Sequence, residues 1–540
     1  MIFNKQTLNR LIQNASVLLL LIAPNIYYVF FKDYGFTDGV ECIFTSILYT
    51  LPLFFLLIYC KWTKFGITII SILFAISLIE ISMIILFKNF ILAGNILSVI
   101  NTNNEEAAGF LKNSFKVMIY WIPVCILFVI VVYCYIHRKS VLKKNLKFIV
   151  ILGSFFVAFS FVFFRINKTR LTYSYFVPTR ILNRNPFNFF YQIYNVCDYY
   201  KVRGYIKDAE NCTFEAIKRD TLQEKEIYIL AIGESLRYNN LSLNGLYPRE
   251  TTPNLESEKQ LVLFEDYYST ATLTMFSVPH IITRATPQNH ELNYKEKSIF
   301  FPFKETGFKT YCISNKYNFL TYEKHLTNGI DSLIVVDNDK DIVDWVSELS
   351  GKNDKIFFIL QFFGSHSVYD NYTPEFERYN PNINNYQKED KDGDSLYINA
   401  YDNTILYTDY ILSEIINAVK IQNAVATMTF VSDHGENVKK TGGGHGGDCK
   451  PPKTEYHVPL IIWYSDLYAK YYPSKIDAII DNKTKKLNAT NIFYTVIDLA
   501  NIDIAEEKND KTMSISNQEF KELEKRFLLL PDGKNIIEVK

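Results

Sequence analysis

Five stretches in the first third of the chain are each long and apolar enough to cross a bilayer, and they limit its fold more than any other feature. They run near 12–31, 41–60, 67–87, 117–136 and 148–164. A backbone in hydrocarbon must satisfy its own N–H and C=O groups, so such runs form helices. Lys5 and Arg10 precede the first run, and Lys61 and Lys64 separate the second from the third. Arg138, Lys139, Lys143, Lys144 and Lys147 separate the fourth from the fifth. Positively charged loops stay in the cytoplasm, so these three groups mark one side as cytoplasmic. Five spans then place the rest of the chain outside it. No small-residue cleavage site clearly follows the first run, which reads as an anchor rather than a removed leader.

Residues 200–540 have the composition of an ordinary water-facing domain and are long enough to bury a core of their own. Lys+Arg and Asp+Glu both number 57, and there is no basic tail or RNA-binding motif, so nucleic acid is not expected as a partner. The expected division is a transmembrane domain at 1–165, an interfacial connector at 166–225 and a catalytic domain at 226–540. The connector is rich in Tyr, Phe and Asn, and the aromatic residues suit a membrane–water interface. The loop 88–116 lies on the outer side, and its Ser98, Thr102 and Glu106 stand at i, i+4, i+8 on one helix face. Cys42, Cys60, Cys125 and Cys134 fall in or beside spans, where they act as small apolar residues. Cys197, Cys212, Cys312 and Cys449 would face an oxidising compartment, where three pairings are open to them.

Beyond 226 apolar runs alternate with amphipathic stretches. Strands are expected at 227–232, 260–264, 309–314, 356–363, 427–431 and 459–464, and helices at 340–350, 398–419 and 489–500. That alternation implies an α/β domain with a mostly parallel sheet flanked by helices. In such sheets ligands bind where parallel strands end. The run 227–232 stops at Gly233-Glu234-Ser235, and 427–431 stops at Ser432-Asp433-His434-Gly435. Two carboxylates and an imidazole are ligand types that zinc accepts. Between them Ser269–Pro279 is dense in Ser and Thr. A Thr hydroxyl becomes a nucleophile when a metal lowers its pKa, and the pattern leaves Thr270, Thr272 and Thr274 equally open. His366 follows 356–363, and His445 sits in the Gly-rich loop 442–447; both imidazoles could bind a phosphoryl oxygen or protonate a leaving group. Asn315 and Lys316 end the 309–314 run within reach of the same place. Each piece alone has an ordinary reading, since Asp-His-Gly is a common turn and Ser/Thr-rich and polyglycine stretches are usually loops. Gathered at successive strand ends, they describe metal-assisted transfer chemistry.

At these residues the chain resembles the phosphoethanolamine transferases of Gram-negative inner membranes, within the alkaline phosphatase/sulfatase superfamily. The resemblance rests on Gly233-Glu-Ser, Ser242-Leu-Asn-Gly-Leu-Tyr-Pro-Arg-Glu-Thr-Thr-Pro-Asn-Leu255, Phe276-Ser-Val-Pro279 and Val431-Ser-Asp-His-Gly-Glu436. Tyr456-His-Val-Pro-Leu-Ile-Ile-Trp463 and Asn491-Ile-Phe-Tyr-Thr-Val-Ile-Asp-Leu499 extend it. It implies a five-helix transmembrane domain joined to a sulfatase-like α/β domain in the periplasm. Thr274, five residues before Pro279, matches the family's nucleophile. The resemblance makes Glu234, Asp433 and His434 ligands of Zn2+, with Thr274 completing the set. It makes His366 and His445 contacts of the phosphoryl group or of a second, weaker zinc, and Ser98, Thr102 and Glu106 contacts of the lipid; Asn315 and Lys316, read as phosphate contacts, match the family's Asn-Asn-x-x-x-Lys pattern only in part. Lipid A-modifying members flank the nucleophile with a disulfide; here those positions hold Thr270 and His280. The stretch 276–286 looks more like members that act on the lipopolysaccharide core.

The implied reaction is ping-pong. Phosphatidylethanolamine gives its phosphoethanolamine to Thr274 and diacylglycerol leaves; a lipopolysaccharide core sugar or lipid A then takes the group. The implied enzyme is a monomer that makes the cell surface less negative and weakens binding of cationic peptides such as polymyxin. Two other readings stay open. One is another enzyme of the superfamily, such as a phosphoglycerol transferase using phosphatidylglycerol; a sulfatase would need Arg at the end of Ser277-Val-Pro-His-Ile281. The other is an inactive membrane scaffold or sensor.

Overall fold

The computed structural model describes residues 5–31, 36–59, 63–101, 115–137, 184–202, 209, 212–315, 319–367, 369–385, 393–439, 444–447 and 450–540. The chain divides into two compact units, Met1–Cys197 and Asp198–Lys540. The start of the expected connector therefore belongs with the first unit.

In the first unit, apolar runs give the helices α1 (Lys5–Phe31), α2 (Phe36–Tyr59), α3 (Thr63–Phe87) and α5 (Ile122–His137). The short helix α4 (Ala93–Asn101) follows α3, and α6 (Asn188–Val202) comes last, its residues up to Cys197 belonging to this unit. Among the described residues, three segments are long and apolar enough to cross a membrane: Asn14–Phe31, Lys64–Phe87 and Lys116–Cys134. The second expected span is the shorter apolar stretch Cys42–Ile58 within α2, and the fifth lies outside the described residues. Helix α1 packs on α2, α3 and α5, burying Val17, Leu20, Leu21, Ile81 and Val131. Phe44, Leu56, Ile72, Ile79, Ile126 and Val129 stay exposed on the outside. Large apolar residues facing outward are what a lipid solvent favours. Ser98 is exposed on α4, while Thr102 and Glu106 lie outside the described residues.

The second unit is built on a seven-stranded sheet. Its strands are β1 (Glu226–Gly233), β2 (Leu261–Leu263), β3 (Lys309–Asn315), β4 (Ser332–Val336), β5 (Lys355–Gln361), β6 (Val425–Ser432) and β7 (Leu460–Tyr464). They lie in the order β2-β7-β6-β1-β5-β3-β4. All neighbouring pairs from β6 to β4 are parallel, and only β7 runs against its neighbours. Strand β1 is at the centre and buried on both faces. Tyr228, Leu230 and Ile232 enter one core, and Ile227, Ile229 and Ala231 the other, the two-residue period of a strand. Each large aliphatic side chain so buried contributes on the order of 1.5–3 kcal/mol. Helices α8 (Asp341–Lys352), α9 (Gly393–Lys420) and α10 (Thr490–Leu499) match expected segments. Among the elements that were not foreseen, two position the site. Edge strand β4 is short and only half-buried, and α7 (Thr274–Ile282) contains Pro279, which reads as punctuation in sequence. Cys197, Cys212 and Cys312 are free thiols, and Cys449 lies outside the described residues.

Candidate active site

The parallel strands β6, β1, β5 and β3 are consecutive in the sheet, and each carries a chemically useful residue at its C-terminal end. Glu234 follows β1, Asp433 and His434 follow β6, His366 lies beyond β5, and Asn315 ends β3. The turn after β1 is tight. Ser235 has a positive φ of 58°, and Gly364 (φ 54°) lies so close that a Cβ would meet the Glu234 backbone at 3.1 Å. Glycine is the residue that tolerates both conditions. The Ser365 N–H donates to the Glu234 carbonyl at 3.0 Å, so the β1 and β5 loops are joined.

Thr274 begins α7, where backbone N–H groups lack helical acceptors and the helix dipole favours negative charge. Its hydroxyl is 3.3 Å from Glu234 Oε2 and 3.2 Å from His434 Nε2. His434 Nε2 is also 3.3 Å from both Glu234 Oε1 and Asp433 Oδ2. His434 Nδ1 donates to the Gly435 carbonyl at 2.9 Å, which leaves the Nε2 lone pair facing this cluster. Asp433 Oδ1 accepts from the N–H groups of Ser235 and His434 at 3.2 and 2.7 Å. Asp433 Oδ2 is buried and accepts no hydrogen bond among the described residues. Glu234, Asp433 and His434 are buried, whereas Thr274 is partly open. Of the three threonines left open by sequence, only Thr274 joins the cluster. Thr270 bonds His280 Nδ1 at 2.9 Å, and Thr272 Oγ1 is buried without a partner among the described residues.

The electrostatics follow from burying two carboxylates and an imidazole side by side. Burial, and then the neighbouring Asp433 carboxylate, push the Glu234 pKa well above the usual range. Burial raises Asp433 as well. Burial and the adjacent His445 hold His434 well below the ordinary histidine value. A cation among these donors would favour the ionised carboxylates and keep the imidazole neutral. Glu234, His434 and His445 each offer a ligand atom within 4.8 Å of the others.

Around this centre stand the two outer histidines. His445 Nδ1 is 3.0 Å from Glu436 Oε2. Burial disfavours its protonation, but Glu436, Glu455 and Asp433 outweigh burial and lift its pKa. The rings of His434 and His445 are 4.0 Å apart by centroid, and those of His366 and His445 are 6.3 Å apart. Asn315 points its amide to Asp339 Oδ1 at 3.1 Å. Lys316 lies outside the described residues.

Two contributors escaped sequence reasoning. Glu436 orients His445, and its position in Asp433-His-Gly-Glu436 was the available signal. Asp339 is buried and accepts from four donors: Phe363 N, Asn315 Nδ2, Gly364 N and Asn371 Nδ2, at 2.8–3.1 Å. Asp339 thereby fixes the loop that leads to His366, and the unforeseen β4 is what delivers it there.

Residues 226–502 match the sulfatase family. The chain is 23% identical to the phosphoethanolamine transferase EptC of Escherichia coli, over 92% of its own length and 89% of that protein's. The integral membrane protein lipooligosaccharide phosphoethanolamine transferase A (EptA) of Neisseria meningitidis superposes with a TM-score of 0.71 at 20% identity, covering 94% of this chain and 97% of that one. The C-terminal periplasmic domain of Escherichia coli EptC, crystallised with Zn, gives a TM-score of 0.54 at 24% identity, covering 60% of this chain and 95% of that domain.

Proposed function

Because the chain belongs to the sulfatase family and, within the alkaline phosphatase/sulfatase superfamily, to the phosphoethanolamine transferases, we propose that it carries phosphoethanolamine from phosphatidylethanolamine to a lipopolysaccharide acceptor through Thr274. The observation that supports this best is the Thr274 hydroxyl at the start of α7, within 3.3 Å of both Glu234 and His434. Hydroxyl and phosphoryl group would meet at a helix N-terminus, which attracts phosphate oxygens.

The donor set fits Zn2+. It offers carboxylate oxygens from Glu234 and Asp433, one of them accepting no hydrogen bond among the described residues, and a His434 Nε2 lone pair oriented by the Gly435 carbonyl. Bound by Glu234, Asp433, His434 and Thr274, the ion would lower the hydroxyl pKa and offset charge on the phosphoryl oxygens. In the first half-reaction Thr274 Oγ1 bonds to phosphorus and the bond to the diacylglycerol oxygen breaks. His445, held by Glu436, and His366 would bind phosphoryl oxygens and hold the proton that passes from the Thr274 hydroxyl to the leaving oxygen. In the second half-reaction an acceptor hydroxyl or phosphate attacks the phospho-threonine and frees Thr274. The acceptor is a core sugar or lipid A. The catalytic domain works on the periplasmic side of the inner membrane as a monomer, and Ser98, Thr102 and Glu106 serve the lipid substrate.

The test is to incubate the detergent-solubilised chain with labelled phosphatidylethanolamine and no acceptor, then to locate the modified peptide by mass spectrometry. A phosphoethanolamine adduct on Thr274 is expected. A phosphoglycerol adduct formed only from phosphatidylglycerol would move the enzyme to a different donor. No adduct from either lipid, with zinc bound, would overturn the reading.

A further inference from the structure

Helix α6 is inside out over residues 188–197. Asn188, Gln192 and Asn195, at i, i+4 and i+7, are buried at 1–3% exposure, whereas Phe190 is 50% exposed, Ile193 40% and Tyr194 58%. A helix on a water-facing protein does the reverse and turns its apolar stripe inward. Here the polar stripe faces inward because the membrane unit meets it with polar groups.

That inner face is hydrogen-bonded to the membrane unit. Glu80 lies in the last third of α3 and is completely buried. Its Oε1 accepts from Asn188 Nδ2 at 2.9 Å, and its Oε2 from the Ile91 N–H at 2.9 Å. Asn188 Nδ2 also donates to the Ile91 carbonyl, and Asn188 Oδ1 accepts from Gln192 Nε2 at 3.1 Å. Gln192 Oε1 in turn accepts from the Ala93 N–H at 3.1 Å. Just before the helix, Asn185 and Asn25 exchange two hydrogen bonds, and Asn185 Nδ2 reaches the Leu21 carbonyl. An ionisable side chain inside a membrane unit is costly, and it persists where it is paired and has work to do. The work of Glu80 is to fix the roll of α6 about its axis at the α3–α4 turn.

We propose that residues 188–197 form an interfacial helix, with Phe190, Ile193 and Tyr194 seated in the headgroup–acyl boundary of the bilayer leaflet at the α3–α4 end of the spans. Lipid is the occupant that the surroundings favour. The helix is keyed through Glu80 to the end of a membrane span, and its outer stripe is apolar and exposed, as Ile72 and Ile79 are on that span. Phe, Tyr and Ile suit that depth. Residues 188–197 carry no charged side chain, so attachment is apolar and independent of lipid charge.

The test uses the full chain reconstituted in vesicles of phosphatidylethanolamine and phosphatidylcholine, with p-benzoyl-phenylalanine placed in turn at Phe190, Ile193 and, as an internal control, the buried Val196. Irradiation should give lipid adducts at the first two positions and none above background at the third. The yield should not change when anionic lipid or salt is added. Cross-linked dimers, cross-links to other parts of the chain, or no adduct at either position would overturn the proposal. Ile193→Trp gives a second readout: brominated lipid should quench it and aqueous iodide should not, and the opposite pattern would also overturn it.

Discussion

The Thr274 hydroxyl is 3.2 Å from a His434 Nε2 that cannot donate to it, because the imidazole proton is held by the Gly435 carbonyl. The hydroxyl therefore donates outward, to His434 or to Glu234, and its oxygen lone pairs are left for phosphorus. Thr274→Ala should lower transfer by roughly three orders of magnitude or more while leaving the thermal transition in place. Thr274→Ser should keep measurable turnover, since the oxygen survives. Full activity in the alanine variant would move the nucleophile elsewhere.

Asp433 offers a second prediction, because its buried Oδ2 accepts no well-formed hydrogen bond among the described residues. Such an atom is expensive unless a cation completes it. Removing metal with a chelator should lower the Tm of the wild-type chain, because an ion that binds only the folded state stabilises it by mass action. Asp433→Asn should bind less zinc per chain, measured by elemental analysis, and its Tm should respond little to the chelator. Unchanged zinc stoichiometry in the variant would remove Asp433 from the ligand set.

Asp339 acts through other groups. Its carboxylate gathers Phe363 N, Gly364 N, Asn315 and Asn371, so the approach to His366 depends on a residue that does not itself line the metal cluster. Asp339→Asn would turn an amide donor toward two existing donors and cost about 1–3 kcal/mol locally. The expected result is a kcat reduced roughly ten- to a hundredfold with zinc content unchanged, because misplacing a contact group affects the reacting geometry. A normal kcat in a folded variant would show that His366 needs no such support.

Much of this site was legible before any coordinates, and the reasons are local. Glu234, Asp433 and His434 each follow a continuous apolar run, and a buried parallel strand announces both itself and its end. Asp339 was not legible, because it depends on β4, a five-residue edge strand whose burial, and so its sequence, shows no clear alternation. The helix that begins at Thr274 was hidden by Pro279, which the surrounding core overrides. Asn315 shows a different limit. Strand ends tell where a residue sits but not which way its side chain turns, and this one turns toward Asp339. The inverted face of α6 follows from Glu80, which is distant in sequence, and no local pattern contains it.

The final prediction concerns acid. Thr270, His280 and His290 form a buried chain beside α7, with His280 Nε2 3.0 Å from His290 Nδ1. Burial, and then the nearby His325, hold the His290 pKa down to about 4, against 6.5 for an ordinary histidine. Burial and His290 hold His280 well below its usual value too. Both are neutral in the folded protein at neutral pH. As pH falls below about 6.5, the unfolded chain takes up protons that the folded chain refuses, so stability drops until His290 itself titrates near 4. For a shift of this size the loss from His290 alone is about 3 kcal/mol, complete by pH 4. Thermal melts of the full chain in detergent should therefore show Tm falling across that window. His290→Gln should flatten part of the slope without altering Tm at pH 8 by a comparable amount. An identical slope in the variant would show that the acid sensitivity comes from other groups.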